Sequence, residues 1–128
     1  MEDIISILQG KEDLLAGKGC TDDEIMEAEN ALGIHFADEY KAYLKRYRIV
    51  AFDGHELTGL ESSARTNIVS VTQEERRRNK KVPTNMYVIE RVNVEEIIIW
   101  QSEDGDVFYS VPDKEPERIK SSMAECYK

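Results

Sequence analysis

The sequence predicts an α+β domain, a mostly antiparallel sheet with helices packed on one face. Three observations predict it. Apolar residues recur at helical spacing through the first fifty positions. Two β-rich runs, 97–100 and 107–109, flank Asp104-Gly105. The closing residues then return to helical spacing. A chain of 128 residues suits one domain, 1–128, able to bury roughly two-thirds of its unfolded surface. With 41% hydrophobic and 34% charged residues it is globular rather than disordered, and no repeat or low-complexity tract divides it.

Ile4, Ile5 and Leu8 open a short helix that runs toward Leu14-Leu15 with a weak point at Gly10, and Gly17-Lys18-Gly19 breaks it. Thr21-Asp22-Asp23-Glu24 is a capping box: Thr21 accepts from the N–H three residues on, and Glu24 reaches back. The helix it starts turns Ile25, Ala28 and Leu32 inward and Asp23, Glu27 and Asn30 outward. Leu32-Gly33 carries the stop, because glycine enters the left-handed region without a Cβ penalty. Ile34 and Phe36 form an apolar link. Asp38 and Glu39 then place negative charge at the exposed N–H groups of the next helix. Tyr40, Tyr43, Leu44 and Tyr47 make one stripe of that helix, with Lys41, Lys45 and Arg46 toward water. Phe36 packs back onto Tyr40 as a hydrophobic staple.

After this helix a strand closes on Gly59-Leu60. Beyond Asp53-Gly54 the period changes: Ile68, Val69 and Val71 read as an extended piece entering a helix at Thr72, and Pro83 ends that region. Tyr87-Val88-Ile89 is β-rich. Residues 97–101 and 107–110 should pair as a hairpin about Asp104-Gly105, with Trp100 at least half buried. Pro112 and Pro116 bracket a loop. Arg118 to Tyr127 reads as a terminal helix with Ile119, Met123 and Cys126 inward.

The ordered series Leu32-Gly33-Ile34-His35-Phe36, Tyr40, Leu44, Gly59-Leu60, Thr72 to Arg76, Tyr87 to Glu90, Asp104-Gly105 and Ser121-Ser122 resembles the SUKH superfamily across nearly the whole chain. That superfamily comprises small domains found as bacterial immunity proteins and in a fungal cell-wall regulator. It often has proline where Ala37 stands, and Asn-Gly in the link that here reads Arg48-Ile49-Val50-Ala51. The resemblance implies a SUKH-like fold, a protein partner, and a structural role for the Thr72–Arg76 segment. It also implies termini close enough for Cys20 and Cys126 to meet; as cysteines of a cytosolic protein they read as reduced thiols.

Catalytic motifs fail one by one. His55-Glu56 begins like a zinc-protease helix, but Gly59 stands where the second histidine belongs. His35 alternates with Ile34 and Phe36 and points outward. Asp104-Gly105-Asp106 lacks the other ligands of a calcium loop, since Trp100 and Ser102 occupy those places. Gly17-Lys18-Gly19 lacks the Lys-Ser/Thr ending of a phosphate loop. Glu95-Glu96, read as strand residues, point to opposite sides and cannot flank a substrate together. The expectation is a binding protein, with no enzyme activity, metal or cofactor.

Charge sets the partner. Residues 1–39 carry 11 Asp/Glu against two Lys, and residues 90–117 carry nine against Arg91 and Lys114. The Arg76-Arg77-Arg78 and Lys80-Lys81 cluster is offset by Glu74-Glu75 within a chain of net charge −9, which repels nucleic acid. An acidic surface steers toward a basic protein such as a nuclease toxin. Solubility alone also favours acidic composition, and the SUKH resemblance is what tips the reading toward binding. The expected interface is the loop set Asp53, Glu56, Glu95, Glu103 and Asp104, carried by a rigid sheet. No run approaches the ~18 apolar residues of a membrane helix, and Met1-Glu2-Asp3 is acidic where a signal peptide is basic. The expected location is the cytoplasm, and the function that of an immunity protein blocking a cognate toxin. The alternative is a regulatory module that scaffolds signalling proteins.

Overall fold

The computed structural model describes residues 3–128; the acidic Met1-Glu2 start of the chain lies outside them. Helix α1, Ile4–Gln9, is capped by Asp3, whose Oδ1 accepts from the Ser6 N–H at 2.8 Å. It stops at Gly10 and does not reach Leu15. Leu15–Ala16 is instead a short strand, β1, set against Val50–Ala51. Helix α2, Asp22–Leu32, has both arms of the Thr21–Glu24 capping box in place and ends on Gly33 at φ 68°. Helix α3, Asp38–Tyr47, buries the whole stripe Tyr40, Tyr43, Leu44 and Tyr47, and the Phe36 ring lies 5.1 Å from that of Tyr40.

The expected single strand ending at Gly59 is two short ones. β2, Val50–Phe52, turns through Asp53-Gly54 into β3, His55–Glu56, giving a sheet ordered β1-β2-β3. Leu57 then bridges to Glu90, and the Thr58 N–H donates to the Ile89 carbonyl at 2.9 Å, joining this sheet to the next. Gly59 is required by close approach: a Cβ there would collide with the Arg48 carbonyl oxygen.

Helix α4 is Ile68–Arg78, and its start corrects the extended piece expected over 68–71. Asn67 supplies the reason, because its Oδ1 accepts from both the Val69 and Ser70 N–H groups and caps the helix ahead of the β-branched run. The second sheet runs β4-β5-β6-β7, all antiparallel: Met86–Val92, Ile97–Ser102, Val107–Ser110 and Glu117–Lys120. The hairpin of 97–101 with 107–110 forms as expected, and its register sets Trp100 opposite Phe108. Residues 118–120 correct the terminal helix: they are edge strand, Ile119 is exposed, and the last helix, α5, is only Met123–Tyr127.

Side-chain alternation separates two apolar layers. Tyr87, Ile89, Ile99 and Val107 face α1, α3 and α5 in the larger core. Val88 and Trp100 face Val71 of α4 in the smaller one, so a helix also covers the opposite face. Three wholly buried tyrosines, Tyr40 and Tyr43 of α3 and Tyr87 of β4, have their hydroxyls satisfied inside. Tyr40 Oη lies 2.9 Å from Thr58 Oγ1, and Tyr43 donates to the Thr58 carbonyl at 2.6 Å. Tyr87 donates to Gln101 Oε1 at 2.7 Å. Burial pushes all three phenols up, so they remain donors at neutral pH. Among the described residues no helix is long and apolar enough to cross a membrane.

The Thr72–Arg76 segment has a physical role. Thr72 Oγ1 accepts from the Val88 N–H at 3.0 Å, at zero exposure. Arg76 does not sit on a solvated face: its guanidinium donates to the carbonyls of Leu32 at 3.2 Å, Thr84 at 2.8 Å and Met86 at 3.3 Å. One arginine thereby ties the end of α2 to the entry of β4.

Candidate functional site

The five loop acids expected to meet a partner divide between two ends of the sheet. Asp53 and Gly54 form a tight turn with φ 45° and 80°, the left-handed pair that a two-residue hairpin demands. Glu95 and Glu96 are not strand residues but the turn between β4 and β5, both at positive φ, 53° and 56°. These turns are neighbours because β3 approaches β4 antiparallel at Leu57 and Glu90. Gly54, His55 and Glu56 line one pocket of 380 Å³ together with Val92, Asn93 and Val94. Asp53, Glu56 and Glu95 therefore share one end. Glu103 and Asp104 sit at the other end of the six-residue β5, roughly 20 Å away at the strand rise.

Their surroundings differ too. Glu56 is paired with Arg65 at 2.7 Å. The Asp53 N–H donates to Asp13 Oδ2 at 2.8 Å, which brings a further carboxylate to the same end. Among the described residues Glu95 and Glu96 form no ion pair and are exposed. Glu103 is engaged internally, accepting from the His35 N–H at 2.7 Å, while the His35 ring itself points outward, 86% exposed.

Beside the Glu95-Glu96 turn runs a groove of 660 Å³, walled by the last turns of α4, the β4–β5 turn and Val111-Pro112. Two of its carboxylates, Glu74 and Glu75, are held in an ion-pair network. Arg91 lies 2.8 Å from Glu75 and 3.1 Å from Glu74, and Arg78 lies 2.7 Å from Glu74. In the sequence Glu74 and Glu75 only offset the arginine run, and nothing local signals that Arg91, sixteen residues on from Glu75, meets them. Trp100 forms the floor, wholly buried, with Nε1 donating to Ser110 Oγ at 2.8 Å.

Behind the turns, the buried Glu90 receives Tyr127 Oη at 2.8 Å on one oxygen and lies 2.8 Å from His55 Nδ1 on the other. This joins β4, the β2–β3 hairpin and α5. Cys20 and Cys126 are both free, and burial raises each thiol, Cys126 to about 11. Neither is a thiolate at neutral pH. Among the described residues no three His, Cys, Asp or Glu side chains gather in a metal-binding group.

An antiparallel sheet with charged turns at its ends, a tyrosine helix beneath it and a Thr–Arg brace on α4 defines a SUKH-type α+β domain. The family model SUKH_5, described as SMI1-KNR4 cell-wall, matches residues 1–124, and the chain belongs to this family of the SUKH superfamily. Comparison with curated proteins gives no match. Membership places the chain among immunity or SMI1/KNR4-like proteins and points to protein–protein interaction.

Proposed function

We propose that this protein is an immunity protein that neutralises a cognate bacterial toxin, a basic nuclease, by stoichiometric and non-catalytic blocking in the cytoplasm. Family membership supports the class. The observation that carries the reading is the gathering of Asp53, Glu95 and Glu96 on two adjacent turns, with Glu56 of β3 and Asp13 of the α1–β1 link at the same end. Such a cluster attracts the positive surface with which a nuclease holds phosphate. No cofactor and no nucleic acid or membrane contact is required.

The test is binding to the product of the neighbouring gene in catalytically inactive form. Wild type should form a one-to-one complex whose association slows as salt rises. Asp53→Lys, Glu56→Lys and Glu95→Lys together should slow association roughly tenfold or more and flatten that salt dependence. The fold should survive, because the Glu56–Arg65 pair is exposed and solvent screens it. Glu103→Lys with Asp104→Lys should do less. Unaltered association after the first set would place the interface elsewhere, for example on the acidic α2. The family's cell-wall description favours a second reading, a regulatory interaction module. Absence of any complex with the neighbouring gene product, alongside capture of signalling proteins, would support that module instead.

A further inference from the structure

Glu56, Arg65 and Thr66 each line two adjoining hollows. One, of 310 Å³, is an open shelf surfaced by Leu15, Ile49 and Ala51; the other is the 380 Å³ pocket that reaches back to Glu90 and Asn93. The Glu56–Arg65 ion pair stands where they meet. The shelf is apolar and uncovered, with Leu15 exposing 71% of its surface.

Thr66 is the anomaly. Only 7% exposed, it has a side-chain hydroxyl with no hydrogen-bond partner in the protein, although its backbone carbonyl accepts from the Gly59 N–H at 3.0 Å. Buried hydroxyls are nearly always satisfied, by the chain, an ordered water or a bound partner, and this oxygen is closed to solvent in the free protein. Arg91 Nη2 borders the same pocket; it lies 3.1 Å from Glu74 but too poorly aligned to donate to it. The rim carries Glu56 and Glu61, continuous with the acidic turns around Asp53 and Glu95.

We propose that this double cleft is the socket that anchors the toxin: an extended basic segment of the partner lays an aliphatic side chain on the Leu15 shelf, displaces the exposed Glu56–Arg65 side chains and sets a carbonyl or amide oxygen against the Thr66 Oγ1 so uncovered. This rests on the immunity reading and adds the specific anchor to it. The acidic turns supply attraction, which is long-ranged and weakly selective; the cleft supplies shape and a directional hydrogen bond, which fix the complex. A lysine or arginine of the same segment shares Glu56 with Arg65.

Two variants test the socket against the inactive neighbouring-gene toxin. Thr66→Val keeps volume and removes an unpartnered hydroxyl, so its melting temperature should equal or exceed that of wild type. Its affinity should fall roughly tenfold, mainly through faster dissociation. Leu15→Glu alters an exposed position, should leave melting unchanged, and should weaken binding roughly tenfold or more. Wild-type affinity in both variants overturns the socket while leaving the immunity reading intact, as does a complex structure with only an ordered water on Thr66. A lowered melting temperature in Thr66→Val overturns it as well, by showing that the hydroxyl serves the fold. Absence of any wild-type complex overturns both readings together.

Discussion

Arg76 offers the sharpest test of how the fold is braced. Its guanidinium is directed at three backbone carbonyls, those of Leu32, Thr84 and Met86, and burial lowers its pKa. Replacement by methionine keeps much of the stem and removes every donor. The Thr84 carbonyl lies at an exposed site and regains water. The Leu32 and Met86 carbonyls are part-buried, and a bond from a charged donor is worth about 1.5–3 kcal/mol. Two such losses come to about 3–6 kcal/mol. Relief of the buried charge, and of Nε, which has no partner, returns a portion. A net loss of about 2–4 kcal/mol remains, a large share of the ~5–15 kcal/mol that domains possess. With m of about 1–3 kcal/mol/M, the urea midpoint should fall by roughly 1–2 M with unchanged slope. Arg76→Lys should recover only part, since a point charge cannot span three carbonyls. A methionine variant within about 0.5 kcal/mol of wild type would refute the reasoning and show the three bonds to carry little net stability.

Leu44→Ala, at zero exposure in the larger core, should cost about 2–5 kcal/mol; an unchanged melting temperature would show the stripe to be dispensable. Gly59→Ala forces a methyl onto the Arg48 carbonyl and should destabilise by about 1–3 kcal/mol or more, read by denaturant unfolding. Glu24 is held at about 2, against a usual 4.5, first by Arg48 and then by the Thr21 N–H. A depressed carboxyl contributes stability that is complete above about pH 4.5 and is lost as pH falls through about 2. The midpoint difference between wild type and Glu24→Gln should therefore shrink across that window, and a constant difference would refute the coupling.

What the sequence disclosed followed from local chemistry. The capping box at Thr21, the stop at Gly33, the tyrosine stripe and the hairpin about Asp104-Gly105 each need only neighbouring residues, and each formed as expected. What it concealed depended on distant partners. Glu117–Lys120 is exposed at all four residues and lacks the alternation that marks a half-buried strand, so only pairing with β6 makes it one. Ile68 and Val69 favour strand intrinsically until Asn67 caps them. The candidate site was legible as loop acids. Their division between two ends was not, because it depends on β3 meeting β4 and on which end of β5 each turn occupies.

Glu39 carries a consequence for folding order. Its carboxylate accepts from the N–H groups of Met123 at 2.7 Å and Ala124 at 2.9 Å, joining α3 to α5 across more than eighty residues. Closing so long a loop costs entropy before any contact repays it. The β4–β5–β6 meander, by contrast, closes through short turns. Docking of α5 onto Glu39 then belongs after the rate-limiting barrier. Loss of that carboxylate would hasten unfolding and leave the refolding rate nearly untouched, making residue 39 a clasp fastened last.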